Sequence, residues 1–452
     1  MIHMTLAAAA RTIGAGYPVP DIEFTGCSTD SRTTNRGELF IAIKGDHFDG
    51  HDFIENAGQR GACAALVEKK IAASLPMLVA GNSRQAMGKL AHQWRKTFSI
   101  PVIAITGSNG KTTVKEMLVN ILRLQAPVLA THGNLNNDIG VPLTLFGLGD
   151  EHHYAVIEMG ANHPGEILWL SQITQPTVAL ITQCAPAHLE GFGTLEGVAR
   201  AKAEIYSGLD KNGIAVINTD DEFANKWRTS TKNSQQISFG LNKDADVTAH
   251  SITPSTDKAG TDFVLCTSAG EIGVSLKLPG QHNVMNALAA AACATGLNVG
   301  LEVLREGLQN IKPVKGRLER KTGLNCSIVI DDTYNANPVS LVAALKVVKP
   351  FAGKHWLALG DMGELGDAAE ELHAEAGKIA KQSGIERLFA VGPLSYAAVR
   401  TFGTGAQHFT DITRLVEQVR SEITSDITIL VKGSRAMQME RVVKDLEVND
   451  KC

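Results

Sequence analysis

The stretch TGSNGKTT, Thr106 to Thr113, stands between the apolar run PVIAI and the helical pattern VKEMLVNIL. A strand that hands over to a helix through a glycine-bearing turn commits its surroundings to an α/β sheet, since the apolar strand is buried and the helix covers it. Such a turn also points backbone N–H groups at one spot beside a helix N-terminus, where an anion is stabilised. The common phosphate loop carries a glycine five residues before its Gly-Lys-Thr. Here Ile105 holds that place and the nearest glycine is Gly107, so the loop is two residues short. Its working parts survive: the turn Gly107, Ser108, Asn109 and Gly110, the mobile charge of Lys111, and the hydroxyls of Thr112 and Thr113, the first suited to magnesium. An exposed lysine in a plain glycine turn is the alternative, and the convergence of strand, glycines, lysine and two threonines favours phosphate.

With 452 residues the chain exceeds one ordinary core, and its length suggests roughly three domains. Residues 1 to about 82 alternate short strands (LFIAIKG, AALVE, PMLVAG) with helical stretches and read as a small α/β unit. From Ser83 to about 312 the alternation lengthens into a doubly wound, largely parallel mononucleotide-binding sheet, with YAVIEMG, TVALITQ and GIAVIN as strands and 195 to 209 as a helix. Between about 235 and 280 the helices stop, and DVTAHSIT, FVLCTS and IGVSLKL read as an antiparallel flap. The Pro and Gly of KPVKGR, 312 to 317, mark a second boundary, beyond which a Rossmann-like α/β series runs to 452.

A formal net charge of −4 without a long Lys/Arg block argues against a general nucleic-acid binder and for a small-molecule partner. Seven scattered cysteines lack C-x-x-C spacing and read as reduced thiols of a cytoplasmic protein. The opening MIHMTLAAAARTIGAG lacks a basic n-region and reads as a first helix. No apolar run approaches the ~18 residues of a membrane span.

Lys202 is a charge in an unexpected place. In LEGVARAKAEIYSGL the residues Leu195, Val198, Ala199, Ile205, Tyr206 and Leu209 follow the spacing of a buried stripe, and Lys202 falls on it. A stem that packs while its amine reaches water, and a buried amine that loses its proton and reacts, both fit that position. Glu158 ends the strand YAVIE and His188 follows the strand TVALITQ, at the same carboxyl edge as the loop at 107 to 112. Carboxylate, imidazole and the Thr112 hydroxyl beside a nucleotide phosphate suit magnesium, while a helix cap and a satisfied loop histidine are the plain readings of the first two. Asn283 and Asn286 lie three apart on one helical face, fit for a base edge or for capping. Asp332, Tyr334, Asn335 and Asn337 of DDTYNANP follow the strand SIVI, and KGSR at 432 to 435 follows ITILV in the same way. A guanine-reading N-K-x-D is begun by NKD at 242 to 244 and broken by Ala245.

Taken in order, TGSNGKTT, IEMG, the lysine of ARAKAEI, HNVMNALAA and DDTYNANP resemble the Mur ligase family from about residue 25 to the carboxyl end. STDSR, LFIAIKG, FDGHDF, GNLNNDIGVP and VKGSR are similar to its branch that adds D-alanyl-D-alanine to UDP-N-acetylmuramoyl-tripeptide. The resemblance implies an ATP-dependent, amide-forming ligase of peptidoglycan synthesis; together with the cysteines and the charge, a cytoplasmic monomer with no nucleic-acid partner is expected. The UDP-sugar peptide would meet the first domain, ATP and magnesium the central one, and the third domain would close over both. It further implies that Lys202 is carbamylated and helps hold a second magnesium with Glu158 and His188. Asn283 and Asn286 would lie in the adenine segment, with Arg317, Asp332 and Tyr334 where the last domain meets ATP. Ser28, Thr29, Ser31, Arg32, Lys44 and Gly45 would meet the UDP-sugar, and Asn134, Asn136 and Asn137 its peptide arm. A folate-polyglutamate ligase would share the ATP site, but STDSR and GNLNNDIGVP speak against it. A nucleotide-switch protein would want a complete guanine motif.

Overall fold

The computed structural model describes residues 1–15, 20, 22–242, 244–256 and 259–448. Its centre is a six-stranded parallel sheet in the order Gln235–Phe239, Ile214–Asn218, Val178–Ile181, Val102–Thr106, Tyr154–Glu158 and Val128–Ala130. These strands are Val, Ile and Ala runs because helices cover both faces. The chain leaves Val102–Thr106 toward one edge of the sheet and Val178–Ile181 toward the other. The crevice beyond the carboxyl ends of these two neighbours is therefore the switch point at which open α/β sheets take ligands.

One face of this sheet packs on the helices Lys111–Arg123, Gln281–Gly296 and Leu301–Gln309, and the same core takes in the flap. The flap is the antiparallel trio Thr248–Pro254, Thr261–Thr267 and Gly270–Leu276. Gln235–Phe239, within the stretch assigned from sequence to the flap, instead adds in parallel to Ile214–Asn218 and closes one edge of the central sheet. The opposite face shares a core with the N-terminal unit, so Ile2, Leu6 and Leu66 pack in one cluster with Val102 and Ile157. That unit carries a four-stranded parallel sheet of Cys27–Ser28, Leu39–Ile41, Ala64–Val67 and Met77–Val79.

The C-terminal unit is a second six-stranded sheet, ordered Glu319–Thr322, Ile328–Asp332, Ile427–Lys432, Lys354–Gly360, Arg387–Val391 and Ala406–Phe409. Its first strand is antiparallel and the rest parallel, with a hydrophobic cluster on each face. The fold is thus three-unit α/β, as the sequence predicts.

Two local readings need correction. The segment from Leu195 is α-helical only to Ala203 and then tightens to a 3₁₀ turn over Glu204–Gly208. Cys27, Cys63, Cys184, Cys266 and Cys293 are free thiols, but Cys326 is disulfide-bonded, against the reading of all seven as reduced. Cys452 lies outside the described residues. No described helix is long and apolar enough to cross a membrane.

Candidate active site

The carboxyl edges of the central and C-terminal sheets face each other across a cavity of about 1300 Å³. The loop after Val102–Thr106 forms its floor. Gly107 and Gly110 take positive φ, and neither position has room for a Cβ, which would collide with Thr182 Oγ1 in the first case and Asn286 Oδ1 in the second. The loop is pinned from three sides. Ser108 N–H donates to Gln183 O at 2.8 Å, Ser108 Oγ donates to Ala185 O at 2.9 Å, and Thr182 Oγ1 donates to Asn109 O at 2.6 Å. Gly110 then caps the helix Lys111–Arg123, whose first N–H groups open toward the cavity. Lys111 is half-buried and donates to Gly107 O at 2.7 Å. Burial holds its amine below the usual lysine range, partly offset by Glu158 and reinforced by Arg317.

Glu158 is 2% exposed. Its backbone N–H donates to Thr131 Oγ1, and Asn136 Nδ2 donates to Oε1 at 2.9 Å. The other oxygen, Oε2, is buried without a hydrogen-bond partner. A buried carboxylate oxygen left bare is costly, so its partner belongs to a bound group. Lys202, also lining the cavity, is 3% exposed, which rules out the snorkelling alternative. Burial, with the Lys111 charge adding to it, pushes the Lys202 amine down to about 7, against an opposing pull from Cys184. Burial in turn pushes the Cys184 thiol up to about 12, so it is no nucleophile. His188 sits in the left-handed region, with Nδ1 2.5 Å from Glu364 Oε2 in an ion-pair contact outside hydrogen-bond angles. That contact holds the Glu364 carboxyl below its usual range.

The C-terminal unit meets the loop directly. Arg317 donates to Thr112 Oγ1 at 3.0 Å while its guanidinium stacks 4.2 Å from the Tyr334 ring centre. Asn337 Nδ2 donates to Asn109 Oδ1 at 2.8 Å and also caps the helix Pro338–Val348. Asp332 and Lys432, opposite each other on neighbouring strands, form a buried ion pair at 2.5 Å, and Lys432 also donates to Asn335 O at 2.9 Å. Asn286 donates to Asn283 Oδ1, and Asn283 donates to Pro279 O, so the two amides are chained along the helix Gln281–Gly296.

The cavity gathers most residues singled out from sequence: Ser108 to Lys111, Thr113, Asn134, Asn136, Asn137, Glu158, His188, Lys202, Asn283, Asn286, Arg317, Asp332, Tyr334, Asn335 and Asn337. Gly107 and Thr112 lie immediately behind its wall. Ser28, Thr29, Ser31, Arg32, Lys44 and Gly45 do not line it; Arg32 pairs with Asp30, and Asp46 reaches the rim instead. Asn242 and Asp244 of the incomplete guanine motif are also absent from the wall, and Lys243 lies outside the described residues.

Sequence reasoning missed His282, Arg84 and Asp138. Arg84 and Asp138 pair at 3.0 Å across 54 residues, a contact no local pattern signals. His282 opens the segment HNVMNALAA next to Asn283, and burial pushes its imidazole down to about 4 despite Asp332, which leaves a neutral ring at the cavity wall.

Three family models match in chain order: the Mur ligase family catalytic domain over residues 23–96, the Mur ligase middle domain over 105–294, and the Mur ligase glutamate ligase domain over 316–435. The chain is 43% identical to UDP-N-acetylmuramoyl-tripeptide–D-alanyl-D-alanine ligase of Escherichia coli, over all of both chains. It superposes on the crystal structure of MurF from Acinetobacter baumannii with a TM-score of 0.93 and 37% identity, covering 98% of this chain and 99% of that one. MurF ligase from Thermotoga maritima in complex with ADP aligns with a TM-score of 0.82 and 28% identity, covering 93% and 96%.

Proposed function

We propose, from the premise that this chain belongs to the Mur ligase family, that it joins D-alanyl-D-alanine to the terminal carboxylate of UDP-N-acetylmuramoyl-tripeptide at the expense of ATP. The product is the pentapeptide precursor of peptidoglycan, and soluble nucleotide substrates of this kind suit a cytoplasmic enzyme. The observation that carries the reading is one cavity holding the shortened phosphate loop, a bare buried carboxylate oxygen at Glu158 and the buried Lys202, whose amine is pushed down to about 7.

ATP fits with its phosphates on the N–H groups at 108 to 113 and its base toward Asn283 and Asn286. Lys111 and Arg317 converge on the loop from the two units, so they neutralise the transferring phosphoryl group from opposite sides. The tripeptide carboxylate accepts that group as an acyl phosphate, and the amine of D-alanyl-D-alanine displaces phosphate to form the amide. Asn134, Asn136 and Asn137 line the cavity and would meet the peptide arm of the substrate, while Asp46 and Arg84, which also line it, would meet its nucleotide end. Closure of the C-terminal unit, turning at KPVKGR, excludes the water that would hydrolyse the intermediate.

The donors fit magnesium. Lys202, its amine pushed down to about 7 and so partly unprotonated at neutral pH, can add to carbon dioxide and release a proton, which gives a carbamate in the cavity that Glu158 and His188 also line. Thr112 supplies a hydroxyl on the phosphate side. Bound there, magnesium contributes positive charge against the phosphate oxygens. Phosphate release that requires both the tripeptide nucleotide and D-alanyl-D-alanine tests the function. Release with either alone, or with a pteroylglutamate acceptor in their place, would sink it.

A further inference from the structure

A second donor cluster lies away from the cavity, on the outer face of the flap. Among the described residues, His250, Cys266 and Glu271 are the one group of three His, Cys, Asp or Glu side chains whose ligand atoms all fall within 4.8 Å of one another. None of them lines the cavity. Strand register explains the convergence. Cys266 is directly opposite Glu271, and His250 is opposite Val264, two residues along the same face. The alternate residues Ala249, Leu265 and Val274 are buried against the central core, so the three donors point outward.

The histidine is also aimed. The ladder between the first two flap strands slips between His250 and Thr253, and Ser251 takes a positive φ of 53° there. This brings Ser251 Oγ to 3.0 Å from His250 Nδ1. A proton on Nδ1, donated to that hydroxyl, leaves the Nε2 lone pair facing Glu271 Oε2 at 3.5 Å. Metal-binding histidines are oriented in this manner, with the second ring nitrogen tied to an acceptor. Gly273 stands opposite Val264 on the same face, and nothing lies within 4 Å of where its Cβ would be, so the approach is open.

We propose that His250 Nε2, Cys266 Sγ and a Glu271 carboxylate oxygen form a surface site for a thiophilic divalent cation of the zinc class, separate from the magnesium site. One sulfur, one imidazole and one carboxylate match a three-ligand tetrahedral set with the fourth position left to water. The thiol disfavours magnesium and calcium. As the sulfur–metal bond forms, Cys266 gives its proton to solvent, one proton per ion bound. The ion would tie all three flap strands together ahead of the helix Gln281–Gly296.

The test uses the whole protein, Cys266→Ser and His250→Ala, all outside the catalytic cavity. With zinc in calorimetry, the wild type should bind one equivalent at least about tenfold more tightly than either variant. With cadmium, the wild type should show a thiolate-to-metal charge-transfer band that Cys266→Ser lacks, and His250→Ala should need more metal to reach it. Ligase turnover equal to wild type shows the variants to be folded. Equal zinc affinity in all three proteins, a cadmium band that persists in Cys266→Ser, or no band in the wild type would each overturn the site.

Discussion

Two buried lysines, one on each side of the cavity, have been given opposite surroundings. Lys432 is 1% exposed and ends a strand of the C-terminal sheet, where Asp332 meets it at 2.5 Å and a backbone carbonyl at 2.9 Å. Lys202 is 3% exposed, and among the described residues neither a carboxylate nor a carbonyl hydrogen-bonds its amine. The same residue type at similar depth is a fixed strut in one place and an amine pushed down to about 7 in the other. Burial by itself therefore does not mark a lysine as a candidate for chemistry; burial that no carboxylate offsets is the feature that singles out Lys202 for test. Glu158 repeats the point as a carboxylate, with one oxygen satisfied by Asn136 and the other bare.

The contrast breaks most sharply at Lys202. Lys202→Ala is expected to lower ligase turnover about a thousandfold or more, since a residue that acts as part of a catalytic unit takes most of the rate with it. Added formate or acetate should restore part of that loss by standing in for the carbamate. Turnover near wild type in the alanine variant would make Lys202 a packing residue like any other. Lys111→Ala should also cost orders of magnitude through loss of charge on the phosphoryl group, and carboxylates should not rescue it. Rescue of both variants would mean that the added anion acts elsewhere.

Lys432 should respond in stability. Lys432→Ala leaves Asp332 charged, enclosed and unpaired, which costs about 3 kcal/mol, whereas Lys432→Met with Asp332→Leu should recover most of that loss because neither charge remains. Denaturant titration of wild type and the two variants reads both values. A single variant as stable as wild type would show that the pair is solvated and that the comparison with Lys202 is false.

The residues of the central edge were legible because their placement follows from local rules. A parallel strand ends, the chain turns, and whatever polar side chain stands there faces the ligand crevice. Thr106 to Thr113, Glu158 and His188 obey that rule, and Lys202 was visible as a charge on an apolar stripe. The Asp332–Lys432 pair was not legible, since it depends on the register of two strands 100 residues apart. The same holds for Arg84 with Asp138. Gln235–Phe239 was absorbed into the flap because a five-residue strand carries no mark of which sheet it joins. The Ser28 to Gly45 segments took their substrate role from family likeness alone, and of that unit Asp46 and Asn82 are the described residues that line the cavity.

The remaining expected effect is a slope in pH. In buffer free of carbon dioxide and metal, Lys202 holds a plain amine whose folded value is pushed down to about 7 from an ordinary 10.5. Between those values the unfolded chain keeps the proton that the folded chain has released, so the unfolded state binds more protons and stability rises with pH. Below about 7 both states are protonated and the full cost of burying the charge is present. Above 10.5 both are neutral and the cost is gone. Lys202→Met has no such proton, so the stability of wild type relative to this variant should climb steadily from pH 7 to about 10.5, with other titrations cancelling in the difference. Because methionine also removes an unpaired buried amine, the variant should be at least as stable as wild type at pH 7, the reverse of Lys432→Ala. Parallel stability profiles for wild type and Lys202→Met would place the Lys202 amine in water and remove the neutral nucleophile that carbamylation requires.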